Sequence, residues 1–95
     1  MINEILLKIE ENTKGNIIVI TTNVKDYEIM VESDLSFHHD AFVESISEGY
    51  KEQYGSKILN VQCDGAFLNI TTCNGYITIE GRSDDSSWYD CYWNL

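Results

Sequence analysis

The chain has 95 residues, 43% of them hydrophobic and 12% aromatic, which excludes a disordered acidic segment, whose signature is few aromatics and few branched aliphatics. Six Lys and Arg stand against 16 Asp and Glu, a net charge of −10 that repels nucleic acid and anionic membrane and attracts cationic protein surfaces. This length holds one domain, residues 1–95, around one core.

In chain order, "MINEILLKIEEN" places Ile2, Ile5, Leu6 and Ile9 on one helical face and predicts a short amphipathic helix closed at "TKG". "NIIVITT" and "KDYEIMVESD" read as two strands joined near Asn23; in the second, Tyr27, Ile29 and Val31 alternate with Asp26, Glu28, Met30 and Glu32. A second helix is expected after a cap at Asp34 or Ser36, with Phe42, Val43, Ile46, Tyr50 and Tyr54 as its core stripe and Gly55 as its stop. "KILNVQC-DG-AFLNITTC-NG-YITIEG" then gives three alternating runs parted by Asp64-Gly65 and Asn74-Gly75, dipeptides suited to tight hairpin turns. The loop "RSDDSS" leads to "WYDCYWNL", a final edge strand or packed tail. The order predicts an α+β fold, two helices on one face of an antiparallel sheet of about five strands, with no internal repeat. No signal peptide opens the chain, and the aliphatic run Ile17 to Ile20 is too short to span a membrane. The expected location is the cytoplasm of a bacterial host.

Catalytic signatures are missing from the sequence. Phosphate-binding loops, the nucleophile elbow and dinucleotide fingerprints are absent, and the six glycines sit singly. "FHHD" offers His38, His39 and Asp40, but adjacent helical residues point about 100° apart and converge poorly on one ion. Asp84 and Asp85 form a carboxylate pair in a serine-rich loop with no second catalytic half, which reads as a solvated loop. Cys63, Cys73 and Cys91 lack metal-ligand spacing and read as small buried thiols of a reducing compartment, a disulfide between Cys91 and one of the others being the alternative in an oxidising setting. The chain is therefore expected to be no enzyme and to need no metal or other cofactor; a small metal-dependent enzyme using His38 and His39 is the rival in that class.

"HDAFVESISEGYKEQYG" supplies the main binding candidate. Asp40, Glu44, Glu48 and Glu52 recur every fourth residue, and like charges at that spacing oppose a helix by about 0.2–0.5 kcal/mol per pair. On a helix they would form a ridge rising about 6 Å per step, comparable with a phosphate backbone. Asp26, Glu28, Glu32 and Asp34 would extend the negative surface. Asp84 and Asp85 lie beside Trp88 and Tyr92, members of an aromatic cluster of the kind that anchors protein interfaces.

In character, "MINEILLKIEEN", "DYEIMVESD" and "AFVESISEGYKEQY" make the first 55 or so residues similar to the small acidic phage-encoded anti-CRISPR proteins that imitate DNA; the C-terminal meander and "SWYDCYWNL" depart from them. That resemblance implies a stoichiometric inhibitor occupying the DNA-reading site of an RNA-guided nuclease. The expected function is a non-enzymatic inhibitor bound to a basic nucleic-acid-binding cleft of a nuclease, making no direct contact with nucleic acid. An immunity protein or antitoxin that neutralises a basic toxin nuclease is the alternative. Self-pairing through an edge strand stays open.

Overall fold

The computed structural model describes residues 1–33, 41–83 and 91–95. Its strands are β1 (Leu6–Glu11), β2 (Ile17–Thr22), β3 (Asp26–Ser33), β4 (Ala41–Ile46), β5 (Ile58–Asp64), β6 (Phe67–Thr72), β7 (Gly75–Ser83) and β8 (Cys91–Asn94), with one 3₁₀ turn at Tyr50–Gln53. They form two antiparallel sheets, ordered β1-β2-β3-β8 and β4-β7-β6-β5. Leu6, Ile18, Ile20, Ile29, Val31 and Trp93 of the first bury against Ile58, Leu68, Ile70, Ile77 and Ile79 of the second. Each such side chain gains about 1.5–3 kcal/mol on leaving water, so this layer supplies most of the favourable energy of folding.

The expectation of two helices packed on a five-stranded sheet is overturned: among the described residues, the first predicted helix is strand β1 and the second is strand β4 followed by turns. β-Bulges explain the misreading. In β1 the register with β2 shifts between Leu6 and Lys8, so Leu6 and Ile9, three residues apart, both turn inward. A bulged strand thus imitates the three-residue spacing of a helix. The same shift between Val43 and Ser45 brings Val43 and Ile46 of β4 against the core. After Ile46 the chain turns through Gly49, whose φ of 76° no helix tolerates, and makes only the 3₁₀ turn before Gly55.

The C-terminal meander forms where its turn dipeptides suggest, the first turn one residue later and the second one residue earlier than predicted. Asp64 pairs with Phe67, leaving Gly65 and Ala66 as the loop, and Gly65 takes the positive φ of 57° that the turn demands. Thr72 pairs with Gly75 around Cys73 and Asn74. The tail forms an edge strand with Cys91 and Trp93 buried and Tyr92 outward. Cys91 is buried, Cys63 half-buried and Cys73 exposed.

The two halves are built alike, against the expectation of no repeat. Leu6 pairs with Thr22 ahead of a bulge, as Ile58 pairs with Thr72 ahead of another. Ile18 opposes Ile29 as Leu68 opposes Ile79, and Ile20 opposes Tyr27 as Ile70 opposes Ile77. The fourth strands are exchanged: Ser33 and Val31 of β3 meet Cys91 and Trp93 of β8, while Ser83 and Gly81 of β7 meet Ala41 and Val43 of β4. Each half completes the other's sheet.

Candidate protein-binding face

Strand pairing fixes what the outer face of the β1-β2-β3-β8 sheet carries. Because side chains alternate and cross-strand partners share a face, burying Ile18, Ile20, Ile29 and Val31 turns Ile17, Val19, Thr21, Asp26, Glu28, Met30 and Glu32 outward. The register sets them in rows: Lys8, Thr21 and Asp26; Glu10, Val19 and Glu28; Ile17, Met30 and Asn94; Glu32 and Tyr92. Four carboxylates therefore frame an apolar strip, in which Met30 is 38% and Tyr92 40% exposed while Ile17 and Val19 are half-buried.

Local bonds hold several of these carboxylates in place. Thr21 Oγ1 donates to Asp26 Oδ1 at 2.7 Å, Asn94 Nδ2 donates to Glu32 Oε2 at 2.9 Å, and Lys8 Nζ lies 3.3 Å from Glu10 Oε1. Glu28 has no ion-pair partner among the described residues. The arrangement is a negative field around partly exposed apolar side chains.

The opposite face, on the β4-β7-β6-β5 sheet, carries more amides and hydroxyls. Asn60, Thr71 and Tyr76 form one row and Gln62, Asn69 and Thr78 another, the last two joined by Thr78 Oγ1 donating to Asn69 Oδ1 at 3.0 Å. Glu80 and Arg82 stand where the first sheet has Met30 and Glu32. Asp64 shares the row of Phe67 and Glu80, and Glu44 lies 3.7 Å from Arg82, so this face is negative too; the first face differs in setting its carboxylates around an apolar strip.

Of the predicted binding residues, Asp26, Glu28, Glu32 and Tyr92 come together on the first face, and sequence reasoning missed Glu10, Val19 and Met30 beside them. Glu10 was assigned to a helix, and only strand pairing reveals its place opposite Val19. The predicted ridge does not assemble. Glu44 lies in the β4 bulge, 3.7 Å from Arg82 Nη1; Glu48 is in the following turn and Glu52 in the 3₁₀ turn, so no helix aligns them. Asp34, Asp40, Asp84, Asp85 and Trp88 lie outside the described residues, as do His38 and His39. Among the described residues no group of three His, Cys, Asp or Glu could hold a metal ion, and no helix is long and apolar enough to cross a membrane.

Beside the β1 edge an open groove of about 490 Å³ is bordered by Glu10, Glu11, Ile46, Tyr50, Lys51 and Tyr54. The Tyr54 hydroxyl accepts the Ile9 N–H at 2.9 Å and lies 3.3 Å from the Ile9 carbonyl oxygen, standing in for a neighbouring strand; burial pushes its phenol above the ordinary tyrosine range. The Glu4 carboxylate accepts hydroxyls from Thr22 at 2.6 Å and Tyr27 at 2.7 Å and lies 3.1 Å from the Met1 amino group. Those donors favour the ionised form and hold Glu4 at about 2, against an ordinary 4.5. Comparison with protein-family models, curated proteins and solved structures found no match to this chain.

Proposed function

We propose that this protein is a non-enzymatic inhibitor whose β1-β2-β3-β8 face docks on a cationic, nucleic-acid-binding cleft of another protein, most simply a nuclease. The observation that carries this reading is the convergence of Glu10, Asp26, Glu28 and Glu32 around the exposed Met30 and Tyr92 on one face of one sheet. Interfaces commonly join an apolar anchor, often tyrosine or methionine, to a polar rim.

A strand serves this purpose where the expected helix does not exist. Alternate residues of an extended chain recur about every 6.8 Å, so Asp26, Glu28 and Glu32 stand on β3 at multiples of roughly twice the axial phosphate rise of about 3.4 Å in a nucleic-acid strand. The self-repulsion of a −10 chain is relieved by a positive groove. A feature costly to the free protein then contributes to the complex.

The test is affinity capture from a bacterial host with the parent chain and with a Glu28→Lys/Glu32→Lys variant of matched thermal stability. The parent should retain a basic nucleic-acid-processing protein and suppress its activity in proportion to added inhibitor, while the variant loses both. A variant that captures the same protein equally well refutes the assignment of this face.

A further inference from the structure

We infer that this chain is a tandem repeat of one unit of about fifty residues, and that the surface buried between its halves is an interface shaped to receive a second copy of that unit, met here within one chain. An ordinary sandwich shares inward-facing alternation between its sheets. It has no reason to share register, bulge and turn chemistry position by position.

Those details coincide here. Residues spaced by 50 in the sequence occupy matching places in β2 and β6, in β3 and β7, and in the exchanged strands, where 41 and 91 answer one another. In the first strands the spacing is 52, and the bulges after Leu6 and Ile58 fall together. Asn16 accepts the Val31 N–H at 3.0 Å as Ala66 accepts the Gly81 N–H at 2.8 Å. Thr22 Oγ1 accepts the Val24 N–H at 3.1 Å as Thr72 Oγ1 accepts the Asn74 N–H at 3.2 Å. Identities recur at the same spacing: Ile20 and Ile70, Thr21 and Thr71, Thr22 and Thr72, Ile29 and Ile79, Ser33 and Ser83. As sequence alone, Asp34, Ser36 and Asp40 are matched by Asp84, Ser86 and Asp90.

Matching residues also touch across the halves, as a two-fold interface requires. Leu6 donates its N–H to Ser56 at 2.9 Å while Ile58 donates to Glu4 at 2.8 Å, and Gly55 donates to Leu6 while Asn3 donates to Ile58, both at 2.7 Å. Ile5 bridges to Lys57 between them. Elsewhere in the core residue 31 meets residue 81: a Cβ built on Gly81 would lie 2.7 Å from Val31 Cγ2. The pseudo-axis passes through these two places. The two fourth strands, each lent to the opposite sheet, interlock the units.

The symmetry makes a specific demand on chain connection. The gap from Asn94 to Leu6 should be spanned by the length of chain that joins Ser45 to Ile58, because these pairs are equivalent. A circular permutant beginning at Lys57, with Leu95 joined to Met1 by a Gly/Ser linker that brings this connection to the length of residues 46–57, should fold. Its far-UV circular dichroism should match the parent, and its melting temperature should fall within about 10 °C of it. As a second measurement, the folded parent carrying a protease site between Glu48 and Gly49 is nicked and run on a native sizing column. Its halves should co-elute at the parent volume. A permutant that stays unfolded with this linker and a longer one, or nicked halves that separate, overturns the inference.

Discussion

Replacing Gly81 by alanine drives a Cβ to 2.7 Å from Val31 Cγ2, inside a contact where Val31 is only 2% exposed. Valine methyls cannot swing aside as a flexible chain end would, so the strands must separate or Val31 must leave its rotamer. Overpacking of this kind costs about 1–3 kcal/mol. Alanine in a strand recovers about 0.4–1 kcal/mol by restricting the unfolded chain, which is too little to reverse the sign. A domain near this size melts about 4–8 °C lower per kcal/mol lost, so Gly81→Ala should lower the melting temperature by several degrees. In a Val31→Ala background the obstructing methyls are gone, and the other neighbours of the new Cβ, the Ala66 carbonyl oxygen at 3.5 Å and Cys91 Sγ at 3.6 Å, are ordinary contacts. There the same change should become neutral or stabilising, with a coupling of about 1 kcal/mol or more between the sites. Urea or thermal unfolding of the four chains measures the cycle. Additive effects, or a stabilising Gly81→Ala in the parent, would refute the contact and with it the place of residues 31 and 81 on the pseudo-axis.

Other consequences can be measured on the same protein. Glu4 is held at about 2 in the folded chain and returns to an ordinary 4.5 when unfolded, so its contribution is complete above pH 4.5 and drains away as pH falls toward 2. Glu4→Gln should therefore flatten the acid limb of the stability profile; an unchanged limb would show that the Thr22 and Tyr27 hydroxyls do not set it. Tyr54→Phe removes the hydroxyl that serves both main-chain groups of Ile9 and should cost about 1–2 kcal/mol, with faster amide exchange at Ile9; a protected Ile9 amide would contradict that role. Trp93→Phe deletes the 2.8 Å bond from the indole Nε1 to the Ala66 carbonyl, which still accepts from Gly81, so the loss should stay near about 1 kcal/mol. A loss above about 3 kcal/mol would mean that the indole's packing rather than its bond dominates. Association through the acidic sheet should slow steeply between low and moderate salt, and a salt-independent on-rate would point to Met30 and Tyr92 instead.

What could be read in advance follows the range of the forces involved. β2, β3 and the β5-β6-β7 meander were legible because alternation and turn chemistry act over a few residues, and Gly65 or Asn74 needs no distant partner to bend the chain. β1 and β4 were not, because a bulge is decided by the neighbouring strand: Ile9 faces inward only when Ile20 lies across from it. With the period misread, Glu44, Glu48 and Glu52 were aligned on a helix that the structure does not form, and the repulsion expected between such neighbours is a reason against it. The acidic character of β3 was visible locally. Its partnership with Glu10 and Tyr92 required the sheet order.

The single exposed thiol offers a practical handle. Cys73 occupies the hairpin loop between β6 and β7, while Cys91 is buried and the half-buried Cys63 is held protonated further into the alkaline range by desolvation. A maleimide reagent applied briefly near neutral pH should therefore attach at one place, on a hairpin of the β4-β7-β6-β5 sheet. Beads or sensor chips loaded through that loop would present the acidic sheet to passing proteins, fixing the orientation of the molecule without any engineered tag.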